Sequence, residues 1–176
     1  RNPLCGRNFE YFSEDPYVSG KIGSAYVKGV ESAGVSSCPK HFACNNKEAN
    51  RYQNDSRLSE RALREIYLKG FEIAVKESDP ITVMSSYNLI NGQHTSESWE
   101  LLTGILRREW GFKGMVVTDW GVKNDPVKEV KAGNDLKMPL GYPDELKAAV
   151  EKGDLTRAEL ELCVKRILEM MLRLAD

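Results

Sequence analysis

Short apolar runs alternate along this chain with longer segments whose apolar residues recur at helical spacing, and this alternation restricts the fold more than any other feature. The candidate strands are residues 35–42, 81–86, 114–118 and 134–138. Helices are predicted near residues 16–33, 59–78, 98–110 and 124–131, and two further helices close the chain. Because strands joined by helical crossovers pair in parallel, about four β–α units are expected to form an α/β fold with a parallel sheet.

The helix starts carry residues that favour capping. Residues 13–16 read Ser-Glu-Asp-Pro, which places a polar cap and acidic charge at the positive end of the helix dipole and a proline just inside the helix. Thr156 and Glu159 have the spacing of a capping box for the last helix.

A complete (β/α)8 barrel takes about 250 residues, so a chain of 176 residues supplies roughly half of one.

Composition excludes several classes of function. The net charge is −1 and the chain has no basic run, so no field attracts nucleic acid. No apolar stretch approaches the length of a membrane span. The four cysteines lack C-x-x-C spacing and a neighbouring histidine pair, which argues against a zinc site. Cys38 and Cys163 lie in apolar patterns and are expected to be buried free thiols, which weakly favours a reducing compartment such as the cytoplasm.

Polar side chains collect at the carboxyl ends of three predicted strands. Lys40-His41 ends the first, Ser86-Tyr87-Asn88 ends the second, and Asp119-Trp120 follows the third. In a (β/α) barrel this end forms the mouth in which active sites are built. The sequence therefore predicts a functional site that combines these residues.

Asp119 and Trp120 also admit simpler interpretations. A carboxylate at the rim of an apolar strand must be solvated, paired or functional, and Asp119 could cap the next helix or form a structural salt bridge. An exposed indole beside a carboxylate suits sugar binding, whereas Trp120 could instead pack as a wedge against the barrel rim.

The remaining candidates have structural alternatives too. A lone histidine such as His41 is more often a hydrogen-bonded structural residue than a catalyst, although Lys40 and His41 could both donate to sugar hydroxyls. His94, after a turn, is expected to form loop hydrogen bonds. Arg7 and Glu10 lie in the opening loop and could form a local ion pair that shapes it. Asn45 and Asn46 are turn residues or ligand contacts.

Several segments resemble the motifs of family 3 glycoside hydrolases, in the family's order and over essentially the whole chain. They are GRNFE (6–10), SEDP (13–16), KHFACNNKE (40–48), SERALREIY (59–67), MSSYNLING (84–92), GFKGMVVTDWG (111–121) and AGNDLKMP (132–139). The resemblance is strongest to the β-glucosidase branch, and relatives acting on β-xylosides share much of it.

The resemblance implies hydrolysis of terminal non-reducing β-D-glucosyl residues by a retaining double displacement, with a β-glucoside or oligosaccharide as substrate and no cofactor. Asp119 matches the family's nucleophile, which needs a second carboxyl group about 5–5.5 Å away. Glu10 matches a supporting position. The positions that match sugar contacts are Arg7, Lys40, His41, Tyr87 and Trp120.

Compared with that family, residues 1–176 are expected to be a partial catalytic domain, the C-terminal half of the barrel. The family's barrel begins further upstream, and its acid/base glutamate usually comes from a later domain. Glu10 and Glu48 occupy positions that look structural, so neither is assigned that role. Half a closed sheet has open edges, so a complementing polypeptide or a homo-oligomer is expected to cover them. The alternative is an inactive half-barrel that binds sugar weakly or only assembles with a partner.

Overall fold

A computed structural model describes residues 2–175, which contain six longer helices and two short 3-10 helices, Asn8–Glu10 and Thr95–Glu97. Helix α2 is continuous but changes its winding, from α-helical Glu60–Ala62 through π-helical Leu63–Leu68 to α-helical Lys69–Ser78. Helix α3 is π-helical over Glu100–Glu109. The others are α1 (Pro16–Glu31), α4 (Pro126–Ala132), α5 (Pro143–Lys152) and α6 (Arg157–Ala175).

Two sheets accompany these helices. In the first, β2 (Thr82–Met84) pairs in parallel with β5 (Met115–Val117), with Val83 opposite Val116. Parallel bridges extend it on both sides, from Phe42 to Ser85 and from Val117 to Leu136. Four segments therefore lie side by side in chain order. The parallel pairing predicted for residues 81–86 and 114–118 is confirmed.

The outer two predicted strands are much shorter than expected. Residues 35–42 contribute only the bridge at Phe42, because Pro39 has no amide hydrogen to donate and takes part only through its carbonyl, which accepts from the Met84 N–H at 3.1 Å. Within residues 134–138 only Leu136 forms a β-bridge. The Asp135 N–H donates to the Val116 carbonyl at 2.8 Å, and the Met138 N–H donates to the Thr118 hydroxyl at 2.8 Å rather than to a strand carbonyl.

A second, small sheet was not predicted. Its strands are β1 (Asp55–Ser56), β3 (Leu89–Ile90) and β4 (Gln93–His94). β1 pairs in parallel with β3, and β3 pairs antiparallel with β4 across the Asn91-Gly92 turn. This sheet ties the polar segment before α2 to the loop that follows β2.

The predicted helix starts are confirmed. The Asp15 carboxylate accepts from the Val18 N–H at 2.8 Å, and Pro16 is the first residue of α1. At α6 the Thr156 hydroxyl accepts from the Glu159 N–H at 3.2 Å, and the Glu159 carboxylate accepts from the Thr156 N–H at 2.7 Å. Such caps satisfy backbone donors that have no partner within the helix.

The core lies between the parallel strands and helices α2 and α3. Phe42 is fully buried and makes edge-to-face contacts with Phe71, at 5.1 Å between ring centroids, and with Trp110, at 5.8 Å. Aromatic pairs favour this geometry. Phe42 directly follows Lys40 and His41, so its packing fixes the backbone that presents those two side chains.

Cys38 and Cys163 are free thiols, as predicted; Cys163 is buried, whereas Cys38 is only half-buried. None of the helices within residues 2–175 combines the length and apolar character needed to cross a lipid bilayer.

Gly114 should be essential for the approach of β5 to β2. A methyl group at this position would overlap the carbonyl oxygen of Ile81. We expect Gly114→Ala to lower the free energy of unfolding by about 1–3 kcal/mol, as overpacking does. Gly29→Ala is the matched control, because Gly29 is exposed in α1 with open space around it, and it should stabilise by up to about 1 kcal/mol. Denaturant titration measures both, and equal effects would contradict the assignment.

Candidate active site

Asp119 lies two residues after the end of β5 with only 7% of its surface exposed. Its Oδ1 accepts from the Trp120 N–H at 2.7 Å. Its Oδ2 is buried, has no hydrogen-bond partner among residues 2–175, and lies 3.4 Å from Nε2 of His41. The helix-cap interpretation is wrong, because α4 is capped by Asp125, whose carboxylate accepts from the Val127 N–H at 2.8 Å. A buried carboxylate oxygen without a donor is costly and is a feature of functional sites.

His41 is 2% exposed and lies between Asp119 and the opening loop. Its Nδ1 is 3.2 Å from the Tyr11 hydroxyl. Burial lowers the pKa of His41 to about 4; the Asp119 charge opposes this shift, and the charges of Arg7 and Lys40 add to it. The ring is therefore neutral at pH 7 and can only hydrogen-bond, not form an ion pair, with Asp119.

Arg7, Glu10 and Lys40 form a chain of charges beside His41. The guanidinium of Arg7 donates to Glu10 Oε1 from Nε at 2.9 Å and from Nη2 at 2.6 Å, and its Nη1 is 3.4 Å from His41 Nε2. Glu10 Oε2 is 3.7 Å from the Lys40 ammonium. Burial raises the pKa of Glu10, but the Arg7 hydrogen bond and the Lys40 charge outweigh it and lower the pKa overall. The local ion pair thus exists, and it borders the Asp119 site.

Tyr87 and Trp120 lie on the other side of Asp119. Tyr87 is buried, and its hydroxyl donates to the Trp120 carbonyl at 2.5 Å. Burial and the Asp119 charge raise the pKa of Tyr87 above its usual value. Trp120 is 62% exposed, so it does not pack as a wedge against the rim. An exposed indole beside a buried carboxylate can stack on the apolar face of a sugar.

The other polar residues have supporting contacts. Asn45 is fully buried and donates to Glu48 at 2.8 Å, and Glu48 also accepts from Arg51 at 2.9 Å. The Glu48 carboxylate thus links Asn45 to Arg51. His94 Nδ1 is 3.1 Å from the Tyr87 carbonyl, the loop hydrogen bond predicted for it.

Three residues that contact the site were not found from the sequence. Tyr11 reaches His41 from the opening loop. The centroids of the Tyr52 and Tyr87 rings are 4.4 Å apart, and the Arg51 guanidinium also lies 4.4 Å from the centroid of the Tyr87 ring. All three belong to loops without periodicity, and only proximity in three dimensions reveals them.

A cavity of about 590 Å³ lies next to the site, between α1, α2 and the segment before Phe42. Glu10, Lys40 and His41 border it, but Asp119 does not. We therefore do not assign this cavity as the place where a substrate meets Asp119. No group of three or more His, Cys, Asp or Glu side chains in the described chain is arranged to hold a metal ion.

The buried His41 should make stability depend on pH. Below about pH 6.5 the unfolded chain binds a proton at His41, whereas the folded protein does not until about pH 4. The unfolded state holds more protons in this window, so the free energy of unfolding should fall as the pH is lowered from about 6.5 to about 4. His41→Gln should remove this part of the slope. Urea titrations across the window measure it, and identical slopes in the two proteins would contradict the prediction.

Comparison with known proteins places these residues in a family. The chain is 58% identical over 161 residues to "Beta-glucosidase A" of Butyrivibrio fibrisolvens, covering 92% of this chain and 19% of that protein. It is 47% identical to "Exo-alpha-(1->6)-L-arabinopyranosidase" of Bifidobacterium breve, covering 97% of this chain and 23% of the relative. The solved structure of β-glucosidase 3B from Thermotoga neapolitana with α-D-glucose matches with a TM-score of 0.95 and 50% identity, over 98% of this chain and 26% of that one.

The chain thus spans about a fifth to a quarter of the length of these relatives. The sequence profile described as "Glycosyl hydrolase family 3 N terminal domain" matches residues 1–170. The resemblance read from the motifs is confirmed, and the chain belongs to glycosyl hydrolase family 3.

Proposed function

We propose that this chain supplies the nucleophile and the sugar-binding side of a retaining enzyme that releases terminal non-reducing β-D-glucosyl residues. One observation carries the proposal. The buried Oδ2 of Asp119 lacks a hydrogen bond in the described chain and faces the neutral His41 ring. The cations Arg7 and Lys40 and the exposed indole of Trp120 lie nearby. Membership of the family and the names of the relatives support the same reaction.

In the proposed reaction an Asp119 oxygen attacks the anomeric carbon while the aglycone oxygen leaves with a proton from an acid. Water then displaces the carboxylate, which leaves the glucose with its original anomeric configuration. Arg7, Lys40, His41 and Tyr87 would bind sugar hydroxyls, and the Trp120 ring would stack on the sugar or its aglycone. Glu10 would support Arg7 and Lys40, with which it already interacts.

The acid/base carboxyl is proposed to come from elsewhere in the enzyme. Glu10 is committed to Arg7 and Lys40, and Glu48 to Asn45 and Arg51. The Arg7 hydrogen bond and the Lys40 charge lower the pKa of Glu10, which is the opposite of what a proton donor needs.

We further propose that residues 1–176 form the C-terminal half of a (β/α)8 barrel whose edges are covered by a complementing polypeptide or a second copy. Four parallel segments in chain order fit half of a barrel wall. Helix α6 buries only Cys163 and exposes a set of large apolar side chains, which suits a covered face; they are Leu162, Val164, Leu168, Met171 and Leu172.

The relatives include an enzyme named for a second class of sugar. The Bifidobacterium breve relative, which is 47% identical, carries the name of an arabinopyranosidase, so a pentopyranoside is a reasonable second substrate. β-Xylosides are the other alternative. An inactive half-barrel that only binds sugar is the non-enzymatic alternative for residues 1–176 in isolation.

The test compares nitrophenyl β-glucoside, β-xyloside and α-L-arabinopyranoside as substrates of the whole polypeptide that contains this chain and of residues 1–176 alone. We expect the glucoside to be cleaved fastest by the whole polypeptide, with β-glucose appearing first in proton NMR spectra. Residues 1–176 alone should bind without turnover. Initial release of α-glucose, or no cleavage of any glycoside, would refute the proposal.

A further inference from the structure

A closed ring of hydrogen bonds holds the far end of the loop 118–125, which joins β5 to α4. The Glu129 carboxylate accepts from Lys137 Nζ at 2.6 Å and from the Ser96 hydroxyl at 2.8 Å. Lys137 Nζ also donates to the Asn124 carbonyl at 2.9 Å, and the Asn124 side-chain amide donates to the Ser96 hydroxyl oxygen at 2.8 Å. These four residues are called the Glu129 ring below. Asn124 is thereby held at two points, its carbonyl oxygen and its side chain.

The Glu129 ring is buried. Ser96 is fully buried, and the side chains of Glu129 and Lys137 are 2% and 7% exposed. Removing two opposite charges from water costs about as much as their attraction returns, so a buried ion pair is weak evidence for stability. The helix that carries Glu129 already has its own cap at Asp125. We therefore expect the ring to contribute mainly a fixed position for the loop.

The same loop is tied to the chain next to Lys137 at a second place. The Gly121 N–H donates to the Met138 carbonyl at 2.9 Å. Residues 137 and 138 therefore contact the loop on the C-terminal side of Trp120, at Gly121 and at Asn124. Trp120 itself is 62% exposed. Because so little of the residue is packed, the course of its backbone largely sets where the indole points.

We propose that Glu129 is a positioning residue which, through Lys137 and Ser96, fixes Asn124 and with it the loop that presents Trp120. The consequence for substrate binding rests on the proposed function. An aromatic ring that stacks on a sugar must already have the right distance and angle, because ordering it during binding costs affinity. Loss of the Glu129 ring should therefore weaken the binding of a glycoside more than it slows the chemical steps.

Two variants loosen the Glu129 ring in different ways. Asn124→Ala removes the contact with Ser96 and leaves the ion pair in place. The double variant Glu129→Gln with Lys137→Met removes both charges at similar side-chain volume, so that no buried charge is left unpaired. Lys123→Ala is the matched control, because Lys123 is exposed in the same loop. Asn124→Ala decides the proposal even if the double variant does not fold.

Fluorine-19 NMR spectra of the whole polypeptide labelled with fluorotryptophan report on the indole directly, with signals assigned from Trp120→Phe and Trp110→Phe. Trp110 is the internal reference, because it is only 9% exposed and belongs to the core. In Asn124→Ala the Trp120 signal should shift or broaden while the Trp110 signal stays as it was, and Lys123→Ala should match the unsubstituted protein. An unchanged Trp120 signal in Asn124→Ala would overturn the proposal.

Kinetics on an aryl β-glucoside separate positioning from stability. Asn124→Ala should raise KM about three- to tenfold, the equivalent of one aromatic contact, and should change kcat by less than about twofold. Lys123→Ala should change neither constant. An altered Trp120 signal with an unaltered KM would refute the consequence for binding. If no glycoside is cleaved at all, the proposed function fails, and the spectra still decide whether the Glu129 ring positions Trp120.

Discussion

Replacing Asp119 with asparagine is expected to abolish turnover, with a fall in kcat/KM on the order of 10⁴-fold or more, as when other enzymes lose their nucleophile. The substitution keeps the size of the side chain and the oxygen that accepts from the Trp120 N–H. It removes the charged oxygen that faces His41, and an amide does not form a glycosyl ester. Initial rates on an aryl β-glucoside measure the effect.

Stability should change little or improve in the same variant. Asp119 Oδ2 is buried without a hydrogen-bond partner in the described residues, and an unsatisfied buried polar atom costs stability in the native protein. Asp154→Asn is the matched control, since Asp154 is exposed in the turn after α5, and it should leave the rate unchanged. If Asp119→Asn retained more than a small fraction of the activity, or lost activity only because it unfolded, Asp119 would not be the nucleophile.

Asp135→Ala is expected to cause the largest loss of stability, about 3–5 kcal/mol, because it leaves buried charges without a partner. The Asp135 carboxylate is fully buried and accepts from Arg107 at 2.5 Å and from Arg166 at 2.9 Å. It also accepts from the Val116 N–H at 2.8 Å. One carboxylate therefore connects α3, α6 and β5, the strand that carries Asp119.

Thermal melting measures this effect, and for a domain of this size the midpoint should fall by on the order of 10 °C. Glu161→Ala is the control, because its ion pair with Arg157 in α6 is exposed, and such pairs contribute little. A melting temperature for Asp135→Ala within about 2 °C of that of the control would contradict the account.

The sequence alone was sufficient to predict the strands and helix starts in which local signals agree. The apolar run 115–117 formed a buried parallel strand, and the cap residues Asp15 and Thr156 began their helices as predicted. It was also sufficient to select the residues that meet around Asp119, because parallel strands bring their carboxyl ends to one edge. Tyr87, two residues after the bridged Ser85, and His41, directly before the bridged Phe42, illustrate this.

What the sequence did not reveal depends on contacts between distant segments. Residues 35–42 look apolar enough for a strand, but pairing there is limited by Pro39 and reduced to Phe42. β1 and β3 pair across more than thirty residues of intervening chain, and neither has a pattern of its own. Tyr11 lies in an irregular loop, and only the folded structure reveals its contact with His41.

The most direct test of the central claim is to trap the covalent intermediate with a 2-deoxy-2-fluoroglucoside carrying a good leaving group. The fluorine slows both steps, and the reactive leaving group restores the rate of the first step only, so the glycosyl-enzyme accumulates. Peptide mass spectrometry of the whole polypeptide should find the sugar on the peptide that contains Asp119, and no label in Asp119→Asn. A label on any other carboxylate, or an unlabelled enzyme that still cleaves aryl β-glucosides, would contradict the account.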